Sequence, residues 1–247
     1  MFKRILKILG VIVLIAYLAV CGYVWRIGQP ERVVSKLDVV ICDSAESQFV
    51  GNRDVMRIIH SSVSLNPVGK KIREFNAYRL EKVLEQNSLI GNADCYPTPN
   101  GTMRIDIYQR KPIMRIKSTR LSSDVYLDTD GRLMPYKATR HAVNVPLVTG
   151  YVTKETATGP LYEFAKFLKG NKKWRHRIVQ IYVDEDQNIR LVPRKGDFTI
   201  LLGSIDNFEK KLARYEVFEK EVLETKGWNT YKTINLKFND QVVAVKR

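Results

Sequence analysis

Thr102 to Pro112, TMRIDIYQRKP, is the stretch whose reading decides the fold. Met103, Ile105 and Ile107 alternate with polar residues, the period of a strand that buries one face. Immediately before it, Pro97 to Gly101 (PTPNG) reads as a hairpin turn, and Ile90 to Tyr96 as the partner strand. Further back, Asn76 caps a helix that places Ala77, Leu80, Val83 and Leu84 on one side. Asn66-Pro67 and Gly69 break the chain between it and an earlier helix, N-capped by Asn52 and striped by Val55, Ile58 and Ile59. Leu37 to Cys42, rich in Val and Ile, is a first strand. The order strand, helix, helix, strand, strand over 37–111 implies a small α+β module with its helices on one face of a sheet.

Beyond Pro112 strands become more numerous. Short ones are expected at 112–117, 125–128 and 132–135, with Asp130-Gly131 as the turn between the latter two, and Val143 to Thr149 reads as another. Gly159-Pro160 opens a helix burying Leu161, Phe164, Ala165 and Leu168. Strands at 178–183 and 188–193 bracket an acidic turn, and 197–202 follows. A last helix starts at Asp206 with Glu209 completing a capping box. Its inner face is Phe208, Leu212, Tyr215, Phe218 and Val222. Tyr231 to Phe238 and Gln241 to Val245 close the chain as a strand pair. Residues 112–247 thus form a strand-rich β domain with two helices, and the fold class is α+β.

Ahead of both domains lies ILGVIVLIAYLAVCGYVW, residues 8–25, without a charge. As a helix it would be roughly 27 Å long, about the thickness of a bilayer's hydrocarbon core. Lys3, Arg4 and Lys7 precede it, and Arg26 stands behind. The positive-inside rule then makes 1–7 a short cytoplasmic tail, 8–25 a transmembrane helix and 26–36 a neck, with the rest across the inner membrane. Tyr17, Tyr23 and Trp25 suit the outer interface. A cleaved signal peptide fits less well, because the apolar run is long and has no Ala-x-Ala site. Leu18 to Gly22 resembles a lipoprotein box, yet the sequence stays apolar after Cys21.

Composition narrows the chemistry. The net charge is +15, and the three cations before the helix leave +12 beyond it. Outside the cytoplasm that suits anionic lipid, acidic protein or wall polymer and argues against nucleic acid. Cys42 and Cys95 could pair in an oxidising compartment or stay as buried thiols. His60, His141 and His176 read as surface histidines, and Asp128-Thr129-Asp130-Gly131 as a hairpin turn lacking the later ligands of a calcium loop. Asp184-Glu185-Asp186 also sits in a turn. Catalytic residues, cofactors and metal ligands are therefore not expected, and the chain reads as a binding protein rather than an enzyme. The closing strand pair, with no helix after it, is expected to leave an edge that could accept a partner strand.

The organisation resembles the FtsQ/DivIB family of bacterial cell-division proteins, which carry one anchor, a polypeptide-transport-associated (POTRA) module and a β domain. Arg104 to Pro112 is similar to the family's I-x-I-x-E-R-x-P junction, and Tyr126 to Gly131 to its W/Y-L-x-D-x-x-G hairpin. Val145 to Gly150 is similar to x-P-x-L-x-G, and Leu202-Gly203 with Lys211 to Tyr215 resembles L-G and K-L-x-R. Ile234 to Phe238 stands where the family has I-D-L-R-Y, with Asn235 and Phe238 departing from it. The resemblance implies a non-enzymatic scaffold of the divisome, enriched at the septum and linking early and late division proteins. It also implies that the FtsB/FtsL pair is held at the β-domain edge. Phe238 would be a contact, with Ile234, Leu236, Val242, Val243 and Val245 shaping that edge. POTRA modules also serve outer-membrane assembly and secretion, and a wall-polymer binder is the third reading.

Overall fold

The computed structural model describes residues 2–27, 32–45, 48–136 and 143–247, with side chains of the first helix described for 12–24. That helix, α1, runs Phe2–Ile27. Among the described residues no helix is long and apolar enough to cross a membrane. The anchor reading of 8–25 extends past them, as do the side chains of Lys3, Arg4, Lys7, Trp25 and Arg26, neck residues 28–31, and His141.

The alternating stretch forms β3, Thr102–Gln109, with Met103, Ile105 and Ile107 buried. It lies between β1 (Lys36–Ile41), parallel to it, and β2 (Ile90–Pro97), antiparallel. The β2–β3 turn places Gly101 at φ +78°, which glycine adopts without a Cβ penalty. Helices α2 (Asn52–His60) and α3 (Ala77–Glu85) cover one face with Val55, Ile59, Leu80 and Leu84. Asn76 caps α3 as expected, its side chain accepting from the Arg79 amide at 3.0 Å. In α2 the cap is Gly51 rather than Asn52, and Asp54 accepts from the Gly51 amide at 3.1 Å. Residues 32–35, expected in the neck, lie against this module: Val34 is buried, and the Ser35 amide donates to the Gly101 carbonyl at 2.8 Å.

The second sheet has nine strands, ordered β12-β11-β10-β9-β8-β7-β4-β5-β6. In chain order these are β4 (Pro112–Ser118), β5 (Val125–Asp128), β6 (Leu133–Pro135), β7 (Leu147–Gly150), β8 (Ile178–Val183), β9 (Ile189–Pro193), β10 (Thr199–Gly203), β11 (Tyr231–Asn235) and β12 (Val243–Lys246). Register aligns Ile116, Val148, Ile181, Leu191, Ile200 and Ile234 in one row across six strands, all fully buried. At roughly 1.5–3 kcal/mol per buried aliphatic side chain, such a row holds together strands too short to be stable alone. Helices α5 (Pro160–Gly170) and α6 (Phe208–Phe218) supply Leu161, Phe164, Leu212 and Tyr215 to the same core.

The structure departs from the sequence reading at four places here. Val143 to Pro146 is outside β7; Val143 and Val145 pack on the cluster in which Tyr126 and Met134 join the first module's core. A short helix, α4 (Lys154–Thr158), precedes α5 and is capped by Thr153. The capping box at Asp206 and Glu209 does not form: Asp206 is engaged by the Ser204 hydroxyl, and left-handed Asn207 (φ 52°) begins α6. Past Phe218 the helix widens into a π turn, Glu219–Leu223, and a final turn, α7 (Glu224–Lys226), follows. The widened turn buries Leu223 completely, while Val222 only partly meets the core.

The two modules meet at a polar buried junction. Gln109, at the end of β3, accepts the amides of Phe49 and Val50 through Oε1 at 2.7 and 2.8 Å. Its own amide and Nε2 donate to Asp43 at 2.9 and 3.0 Å. The next residue, Arg110, donates to Asp128 at 2.8 Å, with both side chains buried. The other oxygen of Asp128 accepts the amides of Asp130 and Arg132, so the carboxylate also closes the β5–β6 turn. Phe49 meets Tyr126 edge to face at 5.7 Å across the boundary.

Cys42 and Cys95 are both free. Cys42 follows β1 and is exposed, against the expectation of burial, whereas Cys95 in β2 is buried, with β3 between the two strands. Burial pushes the Cys95 thiol up to about 12, so it stays protonated at neutral pH and unreactive as a nucleophile. Iodoacetamide is expected to label Cys42 in the folded chain and to reach Cys95 only after denaturation. Equal labelling of the two native thiols, read by peptide mass spectrometry, would contradict this burial.

Candidate functional site

The end of the chain forms the edge that the sequence suggested. β11 is interior, flanked by β10 and β12, while β12 terminates the sheet. The Arg247 amide donates to the carbonyl of Thr230, the residue just before β11. Because successive amides alternate sides along a strand, those of Val245 and Val243 also face β11. The amides of Ala244 and Lys246 therefore point outward, where an added strand would meet them.

Ile234 and Leu236 are fully buried, so they support the edge from beneath. Val242 and Ala244 lean on the same core. Val243 and Val245 sit on the opposite face and are exposed, at 38% and 44%. Phe238 lies beyond β11 in the loop to β12 and is 48% exposed, an aromatic ring with half its surface in water. Strand β11 stops where it does because the Asn235 side chain accepts the Lys237 amide at 3.0 Å, turning the chain locally.

The loop carrying Phe238 is propped by α6, a role that periodicity did not reveal. Arg214 donates to the Leu236 carbonyl at 3.2 Å. Lys211 folds over the turn after β10 and donates to the Ser204 carbonyl at 2.5 Å. Burial holds its pKa below the ordinary lysine value. Gly203 has φ +72°, and a Cβ there would come within 2.8 Å of Lys237. The Leu202-Gly203 and Lys211 to Tyr215 stretches thus converge on the base of one loop.

The sheet face away from α5 and α6 reaches this edge as a continuous row. Lys117, Thr149, Tyr182, Arg190, Leu201, Asn235 and Val243 are successive register partners. Arg190 stacks over Tyr182 at 5.5 Å. His60 and His176 lie exposed and apart, and Asp184 is engaged in its own turn with the Asn188 amide. Among the described residues no three histidine, cysteine or acidic side chains gather as a metal site would require.

Comparison with known proteins fits this architecture. The family described as FtsQ/DivIB, C-terminal related, matches residues 111–245, more than half of the chain. The chain belongs to the FtsQ/DivIB family. A POTRA-like domain matches residues 32–108, which spans the three-stranded module of this FtsQ/DivIB member together with residues 32–35 docked on it. The chain is also similar to the major extracytoplasmic domain of the trans isomer of the cell-division protein DivIB from Geobacillus stearothermophilus. The two share 19% identity over 47% of this chain and 95% of that one, with a TM-score of 0.31, too low to add to the assignment. No curated protein matches the chain.

Proposed function

We propose that this FtsQ/DivIB-family chain is a non-enzymatic scaffold of the divisome, anchored in the inner membrane through residues 8–25. It links early and late division proteins at the septum by accepting a strand of an FtsB-like partner, with FtsL, beside β12. The observation that carries this reading is the open edge of β12 next to half-exposed Phe238. Backbone bonds to Ala244 and Lys246 would give affinity, and the Phe238 ring with Val243 and Val245 would select the side chains of the partner. The anchor is supported by Ile12, Val13, Leu14, Ile15, Leu18 and Val20, all more than half exposed on α1. Among the described residues so much exposed aliphatic surface on one helix is costly in water and suits a lipid environment.

Replacing Phe238 with Ala removes an exposed ring without opening the core. Capture of the FtsB-like partner is expected to weaken by about tenfold, as for truncation of an aromatic contact at a protein interface, with an unchanged circular dichroism spectrum. Undiminished capture in a pull-down would remove Phe238 from the interface. A fluorescent fusion should form a midcell band in dividing cells, and uniform membrane fluorescence would count against the division reading.

A further inference from the structure

At the other end of the strands from Phe238, where β4, β8 and β10 begin, two adjoining cavities open on either side of one loop. The first, of about 290 Å³, has an apolar wall that includes Ile113, Val145, Leu168 and Trp174. The second, of about 180 Å³, lies between Trp174, Tyr215 and Trp228. The first lies at the lower limit of the roughly 300–1,000 Å³ of a drug-sized ligand pocket and the second below it, so each has room for one side chain.

The loop between them is built and held. Asn171 accepts the Lys173 amide at 2.9 Å, and the Trp174 indole donates to Glu216 at 2.7 Å. His176 stands in the left-handed region at φ 67°, and Arg194 donates to its carbonyl at 2.7 Å. A non-glycine residue in that region costs about 1–3 kcal/mol, which the surrounding bonds must offset. A surface held in this way loses little entropy when a ligand docks.

Its charge is one-sided. Glu219, which lines the second cavity, is already engaged by Arg177, and Glu216, beneath the Trp174 indole, by Lys173. Arg175, His176, Arg194 and Lys195 are exposed, and among the described residues none of them has a carboxylate within salt-bridge distance. Arg175 and Arg194 spend donors on the backbone carbonyls of Lys169 and His176 and on the Asn144 side chain. Lys195 lies 3.7 Å over the Trp228 ring. These cations frame apolar cavities, an arrangement complementary to carboxylates flanking an apolar side chain.

We propose that this end of the β domain docks an acidic peptide segment of another protein. One of its apolar side chains would enter the cavity beside Trp174 and Leu168, while its carboxylates meet Arg175, Arg194 and Lys195. The surface lies at the opposite strand ends from the Phe238 loop, and its use does not depend on what occupies β12.

The test uses the full chain in detergent micelles and a fluorescein-labelled peptide, Asp-Glu-Leu-Phe-Glu-Asp-amide, followed by anisotropy at low salt. Saturable binding is expected, weakened about tenfold or more by Arg175→Glu combined with Lys195→Glu and by raised salt, as paired charges at an interface should be. Peptides with Lys for the acids, or Ser for Leu and Phe, are expected not to bind, and Phe238→Ala should leave binding unchanged. Should the double reversal fail to fold by circular dichroism, each single reversal is read the same way, since both side chains are exposed. No saturable binding, or binding indifferent to charge reversal, would overturn the proposal. Displacement by glycerol phosphate as effective as by the peptide would mark a general anion site and overturn it. Self-association of the chain that blocks the peptide and is lost on charge reversal would assign the surface to a second copy instead.

Discussion

Asp128→Ala is expected to destabilise the chain by about 3–5 kcal/mol, the cost of leaving one partner of a buried ion pair uncompensated. For a chain of this size that corresponds to a fall in melting temperature of about 6–20 °C. The magnitude follows from what the carboxylate does. It neutralises Arg110, only 8% exposed, and accepts the amides of Asp130 and Arg132 that close the β5–β6 turn. Asp128→Asn keeps part of that hydrogen bonding while removing the charge, so a smaller loss is expected. Combining Arg110→Met with Asp128→Leu removes both charges and should cost less than the sum of the single changes. Urea denaturation followed by circular dichroism measures these variants, with Arg110→Met and Asp128→Leu alone for the comparison. A loss below about 1 kcal/mol for Asp128→Ala would mean that the pair is no more than a surface-type bridge.

The position of this pair also explains why the POTRA-like module and the β domain meet as they do. β3 ends at Gln109, whose side chain binds the Phe49–Val50 backbone and Asp43. Arg110 reaches into the next domain, and Pro112 begins β4. Within four residues the chain thus serves the first core, the boundary and the second sheet. Tyr126 and Met134 of the β5–β6 hairpin bury themselves in the first module's core, so the boundary is packed as well as bonded.

Local periodicity made much of this fold legible, and the exceptions have identifiable physical causes. Met103, Ile105 and Ile107 alternate because one face of β3 is buried, and that is a property of neighbouring residues. Val143 and Val145 alternate too, yet they pack on the cluster at the boundary of the two modules, and sequence spacing does not record which core an apolar face will meet. The α4 segment, KETAT, buries only Ala157 and so carries no helical stripe to detect. At Asp206 two local bonding options competed, and the Ser204 hydroxyl prevailed over the capping box. For the candidate site, the apolar character of the last two strands was readable. That β12 is the edge depends on the order of nine strands, a sum of long-range pairings. The sequence resemblance grouped Ile234, Leu236 and Phe238, while their division into support and exposed surface appears only in three dimensions.

That division sets the second large effect. Ala244→Pro is expected to abolish capture of the FtsB-like partner while leaving the fold in place. Proline lacks the amide hydrogen that an incoming strand would use, and alternation along β12 from the Arg247 amide turns that hydrogen at position 244 away from β11. Edge strands tolerate proline on the solvent-facing side, so the folded chain should lose no more than about 1 kcal/mol. Val243, just before it, is already extended, the conformation that a following proline favours. Loss of capture should exceed the effect of Phe238→Ala, because in strand addition the backbone bonds supply the affinity and the side chains the selectivity. Lys246→Ala changes the neighbouring side chain but keeps its outward amide, and it should still capture the partner. Lys246→Pro removes that amide and repeats the test at the second outward position if Ala244→Pro proves unstable. Retained capture by a folded proline variant would exclude strand addition at β12. The partner would then have to be held by side chains alone, through Phe238 and the open sheet face that ends at Val243.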